Sequence, residues 1–501
     1  MSSLLSGTLL LTGVGLFTQI VGFFYRIALS RLVGAETMGL YQLIMPAYSL
    51  LMSLTASGLT VAVSSLTARQ QALGHLDAIR QTRNRALSLF FLMVLPLGTA
   101  VILLSDPISV HLLGDARTRL GLILLVPCVL LTGVENIHKH CFYGMGNPRP
   151  PAASETVEQI VRAGAVLALL LLFLPQNRER TVGLIVVGMI LCEVFSTLTL
   201  LALFRRIPHV HVPSPARSFL SSAHMLSIAL PVSLTSLLGT LLASANSVLI
   251  PARLVVGGME PSQAMSSFGI LCGMTMPLLA LPTGFIGALC LVLVPHLARQ
   301  MALGDRRATA AFLDRVMSAT SLLMAPAMAL LSVIGPHLAT AVYGQPTAGH
   351  YMTSLAVGTL LSCYQSVLAG ALNGMERQRS SAVNAILSDI VQLAFTIFAI
   401  PRWGLSAFVA GFVLSALAGA ALNLFSVVRF GGLKPKWLRW FLSPLLSALL
   451  MGLCARLSFV IACDGGWPVP AAGTVACLLG IAIYLAALQA QGMLSPAPRS
   501  R

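Results

Sequence analysis

The stretch "LLSGTLLLTGVGLFTQIVGFFY", residues 4–25, carries no formal charge over 22 positions. A helix rises 1.5 Å per residue, so this run is long enough to cross a hydrocarbon core of about 30 Å. No basic residue precedes it and no small-residue cleavage site follows it, so it reads as a retained membrane helix rather than a leader peptide. Similar runs recur to the end of the 501-residue chain, in which 56% of residues are apolar and only 9% charged, against roughly 25% in a soluble domain. Charge, proline and glycine divide it into about fourteen apolar segments, near 4–30, 38–67, 86–105, 118–138, 152–174, 181–204, 219–250, 263–297, 311–334, 350–373, 381–400, 404–428, 440–462 and 468–490. The fold class this implies is all-α and integral to the membrane. Pro277 and Pro282 lie within one segment and are expected to bend it without ending it, neighbours taking up the freed carbonyls.

The net charge of +16 would raise the question of nucleic acid in a soluble protein. Here the basic residues concentrate between apolar segments, where they set membrane orientation, and no nucleic-acid partner is inferred. Loops after even-numbered segments hold nineteen Lys and Arg against seven after odd-numbered ones, which places the even loops and both termini in the cytoplasm. None of the nine cysteines forms a C-x-x-C pair and most sit inside apolar runs, so they read as small hydrophobes.

An internal repeat organises the chain. "ARQQALG" at 68–74 returns as "ARQMALG" at 298–304, "FYGMGN" at 142–147 as "LNGMER" at 372–377, and Gly114 as Gly344, all at an offset of 230 residues. The offset spans six segments, an even number, so the copies share one orientation and form parallel repeats about the membrane normal. The division expected is an N-terminal lobe at 1–210, a C-terminal lobe at 211–432, and two further helices with a tail at 433–501. Paired repeats of this kind characterise secondary transporters, whose sites lie between the repeats.

Ionisable residues inside membrane spans are costly and face a cavity or a partner. The candidates are Arg26, Glu135, Glu158, Arg162, Glu193, Asp389 and Arg456. Glu158 and Arg162 are four apart on one helical face, the spacing of an internal salt bridge. Glu135 and Asp389 show no sequence-local partner and stand equally as functional or structurally paired groups. At residues 31–34, "RLVG" is echoed by "RLVVG" at 253–257, so Arg31 and Arg253 are expected at related places near the outer mouth of a cavity, with Glu36 beside them and Arg26 a turn deeper. Facing arginines suit an anionic group such as a pyrophosphate, which they grip with charge-assisted bonds; the alternative is that they bind lipid phosphates. "HKH" at 138–140 and "HVH" at 209–211 each offer two imidazoles in expected loops, too few for a metal site. "GALNG" at 370–374 reads as close helix packing within a lobe. The chain has no H-E-x-x-H, Walker A or G-x-S-x-G motif, which argues against an enzyme, a resident cofactor, and ATP hydrolysis by the P-loop route.

The stretch "GFFYRIALSRLVGAETMGLYQLIMPAYSLLMSLTASGLTVAVS", 22–64, together with "YGMGNP" and "NGMERQ", resembles the stage V sporulation protein B branch of the multidrug/oligosaccharidyl-lipid/polysaccharide exporter superfamily, which includes the lipid II flippases. The resemblance implies flippase-like export of a lipid-linked glycan, an undecaprenyl-pyrophosphate peptidoglycan precursor of spore cortex or cell envelope, by alternating access. It makes Arg26 the match to a cavity arginine and the last two helices the match to an apolar groove. The partners implied are the glycan lipid, membrane lipids and a coupling ion, Na+ or H+. Two competing readings remain: a drug/cation antiporter of the same superfamily using Glu135 and Asp389, and a non-transporting scaffold that recruits cell-wall glycan polymerases.

Overall fold

The computed structural model describes residues 2–74, 76–206, 222–431 and 435–493, which are predominantly helical, with no strand among the described residues. In chain order the main helices are α1 (Ser2–Met52), α2 (Gly58–Ala72), α3 (Leu76–Leu103), α4 (Arg119–Gly144), α5 (Arg149–Phe173), α6 (Arg178–Arg205), α7 (Ser222–Val256), α8 (Pro261–Phe268), α9 (Gly284–Ala302), α10 (Arg306–Tyr343), α11 (Met352–Gly374), α12 (Gln378–Ala394), α13 (Leu405–Gly431), α14 (Ser443–Asp464) and α15 (Val469–Ala490). Fourteen helical stretches among the described residues are long and apolar enough to cross a membrane. The chain is an all-α membrane protein.

The number equals that of the sequence reading by an exchange: one stretch covers two of the expected segments, and one expected segment is divided into two stretches. The first two expected segments form one helical stretch, Gly13–Ala72, interrupted at Gly34 (φ 77°, ψ 172°). Sixty residues of straight helix would run about 90 Å, three times the hydrocarbon thickness, so Gly34 is where two spans meet without a loop. Such dihedrals are open to glycine and essentially to no other residue. Conversely, the expected segment 263–297 is broken at residues 281–283 into Pro261–Ala280 and Gly284–Met301. Pro282 therefore ends a helix that it was expected only to bend: it has no N–H to continue the ladder, and a turn takes its place.

Contacts divide the chain into two compact units, one of Met1–Val255 with Met259–Gly269, the other of Val256–Gly258 with Ile270–Arg501. In the first, Leu59 and Val63 of α2, Phe90 of α3, Ile137 and Phe142 of α4 and Phe204 of α6 form a buried core. In the second, α10 packs against α14 and α15 through Ala325, Ala448, Met451, Tyr484 and Leu488. The G-x-x-x-G of α11 works within this unit as expected, since a methyl at Gly374 would lie 2.9 Å from the Leu297 Cβ of α9.

The approach to α14 is fastened by Asp314 of α10. Its carboxylate accepts from the Trp440 indole at 2.6 Å and from the Lys436 ammonium at 2.8 Å, with Arg439 at 3.5 Å. Trp440 is buried, so removing the acceptor strands its N–H, at about 1–3 kcal/mol. Asp314→Ala is expected to lower stability by about 3 kcal/mol with the Lys436 bond included. Asp314→Asn, which keeps an acceptor for the indole, should lose less than half of that. Thermal melts in detergent micelles compare them; equal losses would mean that the indole bond contributes nothing.

Backbone conformation carries the 230-residue repeat further than sequence does. Gly74 and Gly304 have φ of 75° and 71°, and Gly114 and Gly344 have 75° and 69°. Gly146 (φ 70°) corresponds to Glu376 (φ 60°), so a glutamate occupies the left-handed turn that ends α11 where the first copy uses glycine. Left-handed dihedrals cost a residue bearing a Cβ about 1–2 kcal/mol. Glu376 is exposed, so Glu376→Gly is expected to stabilise the protein by about 1 kcal/mol, seen as a raised Tm. An unchanged or lowered Tm would contradict the assignment of strain.

Candidate functional site

Three helices of the first unit bring their ionisable residues to one place. On α4, Glu135 and Lys139 are one turn apart, the Nζ donating to Glu135 Oε1 at 2.8 Å. On α5, Glu158 pairs with Arg162 as the spacing implied, and its second oxygen accepts from Lys139 at 3.1 Å. On α6, Glu193 Oε1 lies 3.3 Å from Arg162 Nη2, while Arg162 Nε meets Cys192 Sγ at 3.5 Å. The chain of contacts runs Glu135, Lys139, Glu158, Arg162, Glu193. Ser196 of α6 donates to Glu135 and shares a hydrogen bond with Ser154 of α5 at 2.7 Å. Glu155 adds a more exposed carboxylate 3.8 Å from Lys139 and accepts from the Tyr143 hydroxyl.

Glu135 and Glu193 are only 1% and 2% exposed. Charges so deeply placed persist only when paired, since removing an ion from water costs several kcal/mol even after relaxation. The buried Glu135 and Glu193 and the half-buried Glu158 meet two cations, Lys139 and Arg162, and with Glu155 the four carboxylates leave a formal excess of two negative charges. Glu158, Cys192 and Glu193 bring potential ligand atoms within 4.8 Å of one another, but all three side chains already contact Arg162, so a guanidinium occupies the place a metal would need.

Two sequence expectations are corrected here. Glu135 does have a local partner, Lys139, assigned to a loop because the fourth segment was ended at 138; the helix continues to Gly144. For the same reason His138 and His140 are helical rather than loop residues, with His138 buried. The "HVH" at 209–211 lies outside the described residues.

The other candidates are scattered. Glu36 is buried and forms ion pairs with Arg117 and Arg178, both at 2.7 Å, Arg117 also holding Asp115. It thereby ties the Gly34 kink to the segment before α4 and to the start of α6. Arg26 and Arg31 are exposed on α1, and Arg253 is half-buried in the last turn of α7. Asp389 is half-buried on α12 in the second unit, with no ion pair among the described residues.

The second unit contains a groove of about 580 Å³ between α10, α11 and α14. Its walls are apolar, with Met328, Val333, Leu360, Leu449 and Phe459 among them, and Arg456 and His337 are its ionisable residues.

Comparison with known proteins agrees with this architecture. The chain is 26% identical to stage V sporulation protein B of Bacillus subtilis (strain 168) over 83% of each chain. It is 22% identical to the lipid II flippase MurJ of the same organism, over 97% of this chain and 94% of that one. Among solved structures, MurJ in an inward closed conformation superposes with a TM-score of 0.71 at 13% identity, over 97% of this chain and 99% of that one. An inward-facing multidrug resistance MATE family transporter of the MOP superfamily gives 0.64 at 15% identity, over 84% and 98%. The model of the polysaccharide biosynthesis protein family matches residues 4–301, more than half of the sequence, and the chain belongs to that family.

Proposed function

We propose that the protein exports a lipid-linked glycan, an undecaprenyl-pyrophosphate peptidoglycan precursor, across the cytoplasmic membrane by alternating access. The observation that carries the reading is the apolar groove between α10, α11 and α14, which combines a wall for a polyprenyl tail with the cation Arg456. An amphiphile with a long chain and a phosphate-bearing head fits such a surface, because arginine grips phosphate oxygens with charge-assisted hydrogen bonds. The groove uses α14, the first of the two C-terminal helices, together with α10 and α11. Residues 1–210 and 211–432 are assigned as the moving lobes, with residues 433–501 carrying the groove helix. Arg26, Arg31 and Arg253 are assigned to the headgroup, Glu36 and Glu135 to holding the site, and Asp389 to the ion path. Membrane lipids, a coupling ion and glycan polymerases are the partners assigned, and both termini are placed in the cytoplasm.

Moving charge through the membrane potential is worth about 2.3 kcal/mol per charge per 100 mV, so a doubly negative headgroup would gain about 4–5 kcal/mol on leaving a negative interior. The test is flipping of a fluorescent undecaprenyl-pyrophosphate glycan in proteoliposomes, with and without an imposed potential. Flipping above that of empty liposomes, accelerated by an inside-negative potential, is expected. Neither flipping above background nor organic-cation efflux from the same proteoliposomes would favour a scaffold. The acidic excess among Glu135, Glu155, Glu158 and Glu193 favours a second reading, a cation antiporter of the same superfamily, which organic-cation efflux without glycan flipping would reveal.

A further inference from the structure

A cavity of about 610 Å³ opens where three connections of the first unit meet: the kink of α1, the Arg117 segment before α4 and residues 174–177 before α6. In the orientation proposed above, all three lie on the outer side of the membrane. Arg117 and Arg178, which hold Glu36 between them, line this cavity, with Leu32, Leu174 and Pro175 as apolar walls. The internal repeat shows that the fold of this corner does not demand such residues. At the 230-residue offset, Arg117 and Arg178 become Thr347 and Phe408, while Gln176 and Asn177 become Ser406 and Ala407. Ala407 and Phe408 are buried. One copy fills the corner with apolar side chains where the other keeps a polar recess.

Hydrogen-bonding groups of the recess are left unused by the protein itself. Thr37 is only 3% exposed and lines the cavity, yet its hydroxyl makes no hydrogen bond among the described residues. A helical threonine commonly returns its hydroxyl to the carbonyl four residues back, as Thr55 and Thr132 do. For Thr37 that carbonyl lies on the far side of the Gly34 kink. A buried hydroxyl without a partner is costly, and a ligand in the recess would supply one. The Gln176 amide also has no partner among the described residues, and Arg178 spends one of its five N–H groups on Glu36. Asn177 caps α6 by accepting from the Arg180 N–H at 2.9 Å, which leaves its NH₂ group to the cavity. Among the charged side chains that line the recess or pair with those that do, three carboxylates, Glu36, Asp115 and Glu179, stand against Arg117 and Arg178. No cation of that set is uncompensated, so a neutral ligand suits the recess better than a phosphate.

We propose that this recess is a saccharide site for one or two neutral, N-acetylated sugar rings. Ring hydroxyls can accept from the guanidinium and amide N–H groups and donate to the Thr37 and Gln176 oxygens. The acetamido methyl and the C–H face of a ring can pack on Leu32, Leu174 and Pro175. The volume falls within the roughly 300–1,000 Å³ of small-molecule sites. Such a sugar has two sources at an outer-facing site: the headgroup of the glycan lipid once exported, or glycan already outside. The first source rests on the transport reading above; saccharide binding does not.

Saturation-transfer NMR of the purified protein in nanodiscs, titrated with N,N′-diacetylchitobiose, reads the site whichever way the chain is inserted, since both faces are open. Saturable binding is expected, weakened about tenfold by Thr37→Val and about tenfold by Gln176→Ala, the effect of one hydrogen bond each. Thr37→Ser, which keeps the hydroxyl, should bind as the native protein does. Gln176 is exposed, so its variant preserves the test if Thr37→Val fails to fold. No saturable binding in the native protein, or binding that Gln176→Ala leaves unchanged, overturns the site. Inorganic pyrophosphate that binds more tightly than the disaccharide, and whose binding is lost in Arg178→Gln, would make the recess an anion site and overturn the saccharide assignment. In the proteoliposome assay, slower flipping by Gln176→Ala assigns the site to the exported headgroup, and a native rate with weakened disaccharide binding assigns it to glycan already outside. Absence of flipping by the native protein would count against the transport reading and leave the NMR result standing.

Discussion

Arg162→Ala is expected to cost about 3–5 kcal/mol, because it leaves Glu193 buried without a cation and Glu158 with Lys139 alone. Chemical unfolding in micelles and the yield of monodisperse protein measure it. Arg162→Lys should recover only part of the loss: an ammonium is a point charge and cannot span Glu158, Glu193 and Cys192 from one position, as the planar guanidinium does. Wild-type stability in Arg162→Ala would mean that the carboxylates are neutral without it, and that the cluster is not organised around this side chain.

Arg26→Ala should do the opposite, leaving stability within about 0.5 kcal/mol of wild type while abolishing flipping and complementation of a flippase-deficient strain. The side chain is exposed on α1, so its truncation removes little packing. What is lost is a cation placed within a membrane span, with no ion pair among the described residues, and a charge so placed is retained for a task. Arg26→Lys, which keeps the charge without the bidentate fork, should retain weak activity. Full complementation by Arg26→Ala at normal protein level would remove the residue from the headgroup site.

Hydropathy sufficed to read the membrane spans, since a helix in lipid must satisfy its backbone internally and announces itself by length alone. Glu158 and Arg162 were legible because their contact is local, one turn along one helix. Lys139 was not, because its charge was taken as the end of a span that in fact runs six residues beyond position 138, to Gly144. The partners of Glu36 lie 81 and 142 positions away, and no short-range pattern signals a contact between α1, the segment before α4 and the start of α6. The equivalence of Ser154 and Ser196 with Asn384 and Ser426, 230 residues on, was hidden for a different reason: serine and asparagine at equivalent places look like divergence until a hydrogen bond between the same two positions appears in both copies.

The loopless junction at Gly34 bears on how the topology of this protein can be mapped. Reporter enzymes, epitopes and protease sites need slack, and a single-residue bend between two spans, braced by Glu36 through Arg117 and Arg178, offers none. Insertions there should wreck the fold whichever side of the bilayer they face, so sidedness is better read by small thiol-labelling reagents at single introduced cysteines than by fusions.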